Sequence, residues 1–221
     1  LYDAAHAFGI EVNGAGVGSF GDASMFSFHA TKVFHTIEGG AVATADEHLV
    51  AELFKLKDFG IRDEETIDGI GANAKMNEFQ AIMGLCNLKH VDAEIEKRKT
   101  VVERYRSHLC GIPGLRIGHE QPGVKSNYAY FPIVIEETVF GCTRDDVFAR
   151  LKEHNIFARK YFYPLTNSLS CFAGRFDVSK TPVAKRISER VLTLPISASL
   201  ELADVDRICT IILDKQERGG R

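Results

Sequence analysis

The chain has 221 residues, 45 % hydrophobic and 26 % charged, and its 27 Lys and Arg against 30 Asp and Glu leave a formal net charge of −3. This is the usage of one or two folded domains with a sizeable core, and it excludes disordered, collagen-like and disulfide-scaffold classes. The missing basic excess argues against nucleic acid as a partner, and no apolar run approaches the roughly 18 residues that span a membrane.

The chain opens Leu1-Tyr2-Asp3-Ala4-Ala5-His6, without an initiator Met or a signal-peptide pattern, and reads as the interior of a longer protein. Asn13-Gly14 marks a turn in a Gly-rich stretch. Residues 25–28 read as a short strand and residues 39–44 as a second. Asp46 then caps a helix to about Phe59, with Leu49, Leu53 and Leu56 at helical spacing. A polar, Gly-bearing loop covers residues 58–73. A long helical stretch follows from Asn77 to about Leu109, apolar at Phe79, Ile82, Met83, Leu85 and Leu88. Its charged run at residues 94–99 reads as a solvated face. Gly111-Ile112-Pro113-Gly114 breaks the helix and marks a domain boundary. Beyond it, residues 128–135 read as a strand, Thr143 caps a helix to about His154, and residues 157–163 are strand-like. Residues 182–192 and 203–216 read as helices. Residues 1–110 are thus expected to form an α/β domain and residues 111–221 a compact α+β unit. Cys86, Cys110, Cys142, Cys171 and Cys209 form no CxxC motif and offer no metal-ligand spacing. They read as reduced thiols of a cytoplasmic protein, each in buried packing.

Gly16-Val17-Gly18-Ser19-Phe20-Gly21 matches GxGxxG, but a turn precedes it and a strand follows it, so these are turn glycines. The informative segment is residues 21–32. Lys32 follows an apolar strand among small and hydroxyl residues, and Glu38-Gly39-Gly40-Ala41 then returns as a Gly-opened strand. An amine held against partly apolar surroundings loses solvation, and its free form becomes available to make an imine with an aldehyde. Ser27 can offer a hydroxyl to a phosphate. Asp3, ending an apparent strand, can present a buried carboxylate to a pyridine nitrogen and keep it protonated. Read alone, the same residues are a surface lysine, a strand-end cap at Asp3, a core histidine at His6 and, further on, a left-handed loop residue at Asn73. Arg159-Lys160-Tyr161-Phe162-Tyr163-Pro164 is basic and aromatic together. It suits either a nucleotide diphosphate and base, held by Arg159 and Tyr161, or a strand with an aromatic core face and a solvated basic face.

Asp3-Ala4-Ala5-His6-Ala7-Phe8-Gly9, Gly21-Asp22, residues 27–32 and Glu38-Gly39-Gly40-Ala41 resemble the DegT–DnrJ–StrS family. So does the block Gly71-Ala72-Asn73-Ala74-Lys75 through Gln80-Ala81-Ile82-Met83-Gly84-Leu85. The resemblance is strong over residues 1–110 and persists in order and spacing to the C-terminus. It implies a pyridoxal 5′-phosphate (PLP) aminotransferase of fold type I, here a partial large α/β domain followed by the small α+β domain. Carried over to this chain, it implies that Lys32 forms the imine with the cofactor and shuttles protons, and that Asp3 pairs with the pyridinium nitrogen. His6 lies by the ring, and Ser27 binds the phosphate. Asn73 reaches the phosphate in a neighbouring subunit of a homodimer. Glutamate would be the amino donor and a nucleotide-linked keto sugar the acceptor.

A cyclitol or aminohydroxybenzoate precursor, or a non-catalytic truncated interaction module, are the rival readings. A branch of the family that replaces the lysine by histidine performs dehydration; Lys32 favours transamination, with His29 and His35 read as packing or surface residues. Three departures stand out: Lys75 where the family usually has Arg, no His after Pro164-Leu165, and no counterpart of the family's N-terminal section. The chain is therefore expected to be a C-terminal part of such an enzyme, binding PLP weakly or not at all by itself.

Overall fold

The computed structural model describes residues 1–214. In chain order the elements are β1 (Tyr2–Asp3), β2 (Glu11–Val12), β3 (Ala15–Gly16), β4 (Ser24–Ser27), β5 (Gly40–Ala43), α1 (Glu47–Lys57), α2 (Glu78–Leu88) and α3 (Val91–Leu109). They continue with β6 (Leu115–Ile117), β7 (Val124–Lys125), β8 (Phe131–Ile135), α4 (Glu137–Phe140), α5 (Arg144–Glu153), α6 (Pro182–Arg190), β9 (Val191–Leu194) and α7 (Leu202–Leu213). The chain divides into two compact units. The first comprises Leu1–Glu96 with Gln121–Ala129, and the second Lys97–Glu120 with the chain from Tyr130 onward.

In the first unit β1 pairs in parallel with β4 (Tyr2↔Ser24, Asp3↔Met25), and β4 pairs antiparallel with β5 (Ser27↔Gly40). Asn13 and Gly14 both take left-handed backbone, with φ of 51° and 80°, as a two-residue hairpin turn requires, and they join β2 to β3. β7 adds to the other edge of β2. The core is a small aromatic knot: Phe28, Phe34, Val91 and Ile95 are buried, with Phe8 and Tyr128 packed against them. Phe8 stacks on Phe34 at 4.3 Å and meets Phe28 edge-on at 5.7 Å. The Asp46 carboxylate caps α1 by accepting the His48 and Leu49 amides. No residue of α1 is buried, and Val50, Phe54 and Leu56 are exposed. The long helix read from sequence is two helices, because the chain breaks at residues 89–90. α2 buries only Gly84, and Phe79, Ile82, Leu85 and Leu88 stand open.

The second unit is an antiparallel sheet in the order β6-β8-β9, packed with α5 and α7. Its core is much larger. Tyr105, Ile133, Leu151, Leu192, Leu194, Val205 and Ile212 are among its fully buried side chains. The Tyr105 hydroxyl donates to the Pro195 carbonyl at 3.0 Å, and its ring stacks on Phe131. Burial pushes the Cys209 thiol up to about 12. α5 begins with a capping box formed by Thr143 and Asp146.

Four sequence expectations change. The strand expected over residues 128–135 starts only at Phe131, because Tyr128 takes φ 51° inside a turn. Residues 157–163 form no strand and make a single bridge, Arg159↔Thr193. Val191 and Leu192, expected in a helix, belong to β9, whose pairing with β8 is a non-local interaction that apolar periodicity does not show. Of the five cysteines only Cys209 is buried: Cys86, Cys110 and Cys171 are exposed and Cys142 is half-buried. The C-terminal helix ends at Leu213, and residues 215–216 of the expected helix lie outside the described residues.

Arg104 clamps Asp206 bidentately at 2.6 and 2.8 Å, and His108 approaches the same carboxylate at 2.8 Å. The Arg104 bonds lead in holding Asp206 down at about 2. A carboxylate held below its unfolded value, about 3.9, stabilises the fold above that pH, and the contribution disappears as the pH falls through the folded value. The gap in urea midpoint between the wild type and Asp206→Asn should therefore be constant near neutrality and close between about pH 4 and pH 2. A gap that persists unchanged at pH 2 would contradict this account.

Candidate functional site

The site is built on the strand ends of the first unit. β4 ends at Ser27, residues 29–38 form a loop, and β5 returns. Phe28 closes the neck of the loop by donating its amide to the Gly39 carbonyl at 2.8 Å and accepting the Thr36 amide at 2.9 Å. A tight turn, with the Lys32 amide donating to the His29 carbonyl, follows the buried Phe28 and precedes the buried Phe34 in the chain, and presents Lys32 half-buried. The two glycines of the return have separate reasons. Gly39 has φ of 150°, and a Cβ there would strike the Thr36 hydroxyl; a Cβ on Gly40 would lie 2.7 Å from the Phe26 carbonyl oxygen.

β1 ends at Asp3, whose Oδ1 accepts the Ala5 amide at 3.1 Å and turns the chain into residues 4–10. That segment carries His6. Lys32 Nζ lies 3.3 Å from His6 Nε2 and 3.4 Å from Nδ1. The amine thus lies within hydrogen-bond reach of both ring nitrogens and is nearly equidistant from them. Burial and the Lys32 charge lower the His6 pKa, opposed by the Asp3 charge. The structure thus couples Asp3, His6 and Lys32, which come from two separate chain segments. Among the described residues no carboxylate forms an ion pair with the Lys32 amine.

Asp3 is exposed, contrary to the buried carboxylate expected, and among the described residues β1 lies at the edge of the β1-β4-β5 sheet. Ser27 is half-buried and its Oγ accepts the His29 amide at 3.4 Å. It lines a groove of about 820 Å³ between β4, β5 and α1 whose walls do not include Asp3, His6 or Lys32. Asn73 is exposed and bridges to Asp58, and it is not among the left-handed residues. Lys75, two residues on, pairs with Asp58. His29 is exposed against Thr31 and Glu38, and Asn87 donates to the His35 carbonyl.

Arg159 and Tyr161 belong to the second unit. Arg159 is exposed, and its backbone pairs with Thr193. Tyr161 stacks on Phe162 at 4.7 Å and meets Tyr130 edge-on at 5.8 Å. Lys160 is engaged by Asp145 and lies over the Phe148 ring. The segment so combines an aromatic cluster with a solvated guanidinium.

One buried polar residue beside the site escaped the sequence reading. Asn127 is 3 % exposed; its Nδ2 donates to the carbonyls of His6 (2.8 Å) and Phe8 (2.9 Å), and its Oδ1 accepts the Ala129 amide. In sequence it is one asparagine in the polar run Lys125-Ser126-Asn127, and the only signal was its place just before an aromatic strand.

The profile of the DegT/DnrJ/EryC1/StrS aminotransferase family matches residues 1–213. The chain belongs to this family. It is 40 % identical over 212 residues to the dTDP-4-amino-4,6-dideoxy-D-glucose transaminase of Shigella dysenteriae, covering 96 % of this chain and 58 % of that protein. The fold superposes on a crystal structure of DesI in the presence of its TDP-sugar product at a TM-score of 0.88 and 36 % identity, covering 96 % of this chain and 54 % of that one. A sugar aminotransferase of Streptococcus pneumoniae in its PLP form gives a TM-score of 0.86 at 28 % identity, covering 95 % of this chain and 55 % of that one. The architecture is that of fold type I, and the chain spans a little over half the length of the relatives it matches. Among the described residues no helix is long and apolar enough to cross a membrane.

Proposed function

We propose that this chain is the Lys32-bearing part of a PLP-dependent aminotransferase that moves an amino group from glutamate to a nucleotide-linked keto sugar. The observation that carries the reading is the half-buried amine of Lys32, in no carboxylate ion pair among the described residues, against an imidazole of lowered pKa and near a strand-end carboxylate. That donor set fits PLP: a nucleophilic amine for its aldehyde, a flat ring for its face, and an acid partner for its ring nitrogen. When bound, PLP acts as the electron sink for the carbon that loses or gains a proton.

The chain's own residues do the rest. Lys32 carries the cofactor and then moves the proton at the reacting carbon, which its place at the loop tip permits. Asp3 holds a proton on the ring nitrogen, and His6 supports the ring and keeps the Lys32 amine from being fully hydrated. Ser27 takes the cofactor phosphate. Asn73 reaches the phosphate of a second copy, which makes the working unit a homodimer. Arg159 and Tyr161 receive the nucleotide end of the substrate, the first by charge and the second by stacking. The five unpaired cysteines suit a reducing compartment, the cytoplasm.

The test is amino transfer by the complete polypeptide loaded with PLP. Release of 2-oxoglutarate from glutamate beyond one equivalent per site should depend on a nucleotide-linked keto sugar. Turnover with a cyclitol ketone, and none with any keto-sugar nucleotide, would refute the substrate class while leaving the cofactor chemistry standing.

A further inference from the structure

The segment that holds His6 has little regular structure to hold it. Residues 4–10 lie outside any strand or helix and make only two internal turns, Ala7 amide to Ala4 carbonyl and Ile10 amide to Ala7 carbonyl. The carbonyls of these half-buried residues, His6 and Phe8, therefore need partners from elsewhere, since a carbonyl shielded from water and left unpaired is costly. Asn127 supplies both, 119 and 121 residues away in sequence.

All of its amide is committed. Both Nδ2 protons go to the segment, and Oδ1 takes the Ala129 amide, so the donor set fixes the amide's orientation. Its own turn is built to deliver it: Ser126 Oγ accepts the Tyr128 amide, and Tyr128 takes a left-handed φ of 51° and packs on the aromatic knot beside Phe8. Nothing in sequence proximity explains this arrangement.

We infer that Asn127 is the positioning residue of the site: its two-carbonyl clamp sets the height and tilt of the His6 ring beside the Lys32 amine. The inference rests on the reading of Lys32 and His6 as cofactor-facing groups, but it concerns the protein's own geometry, and the coenzyme is not needed to test it. Asn127 touches neither of the reacting groups and acts through the backbone of the segment.

The experiment follows the His6 ring by NMR titration in the coenzyme-free chain. The charged groups near the ring are Lys32, which lowers its midpoint, and Asp3, which raises it. Asn127→Leu keeps about the same volume, adds no charge beside the ring and cannot donate to either carbonyl. It should release the ring from the Lys32 amine, and the His6 midpoint should rise toward the ordinary histidine value. Asn127→Ser, which retains one donor, should give a smaller rise. Val91→Ala, a core change in the same unit that leaves the clamp intact, should leave the midpoint where it is. An unchanged His6 midpoint in Asn127→Leu, or an equal rise in Val91→Ala, would overturn the inference and leave Asn127 a merely structural residue.

A measurement on the wild-type chain holds even if the variants do not fold. Both Asn127 side-chain amide protons should exchange slowly with solvent; fast exchange of either would also overturn the clamp. If the clamp holds while PLP fails to attach at Lys32, the functional reading falls and this one stands.

Discussion

In the complete polypeptide, Lys32→Ala should abolish borohydride trapping of PLP and lower amino transfer by at least about 10²–10⁴-fold, the usual worth of a positioned proton-transfer group. The variant removes the amine beside His6 but leaves the loop itself in place, since the neck bonds of Phe28 to Thr36 and Gly39 are backbone bonds. Lys32→Arg is the informative companion. It keeps a cation beside the imidazole, but a guanidinium stays protonated and does not attack an aldehyde. If position 32 supplies only charge, the arginine variant works; if it supplies the nucleophile, the arginine variant is as inactive as alanine. Peptide mapping of the trapped wild-type protein should find the coenzyme mass on the peptide containing Lys32. A borohydride-stable adduct on another lysine in Lys32→Ala, with turnover retained, would end the assignment. The same variant has a coenzyme-free signature: the His6 midpoint should rise, because the cation that depresses it is gone and the Asp3 charge remains.

The second large effect is a stability effect at Arg144. This residue opens α5 with its side chain only 3 % exposed, and donates to the carbonyls of Ser188 and Val191 at 3.1 Å each and to Asp145 at 2.6 Å. Those two carbonyls stand where α6 gives way to β9, so one guanidinium satisfies a backbone junction that neither element can satisfy alone. The Tyr163 ring lies 5.0 Å from it. Arg144→Ala leaves both carbonyls inside without a donor and opens a cavity, and should cost about 3 kcal/mol of unfolding free energy. Arg144→Lys keeps the charge but loses the planar fork, and should recover only part of the loss. Urea unfolding of the three proteins decides the matter: equal midpoints for wild type and alanine would show that the fork carries no weight.

Local chemistry was legible in the sequence, and pairing partners were not. The cap at Asp46, the capping box opened by Thr143 and the hairpin turn at Asn13-Gly14 depend on residues within a few positions, and each was readable. The motif residues around Lys32 were readable for the same reason, since a strand, a loop and a Gly-Gly return follow one another directly. The exposure of Asp3 was not, because it depends on which strand forms the sheet edge. Val191 and Leu192 looked helical because their partner β8 lies more than fifty residues upstream. Asn127 looked like any loop asparagine, since the carbonyls it holds belong to the opposite end of the chain.

The uneven share of burial between the two units has a practical reading. The second unit owns nearly all the inaccessible aliphatic bulk, whereas the first rests on one aromatic knot and wears Phe54, Phe79 and Leu85 on its outside. A calorimeter scanning this polypeptide would report chiefly on the second unit, which does not contain Lys32. Substitutions around Lys32 can therefore pass a thermal screen of this polypeptide unnoticed.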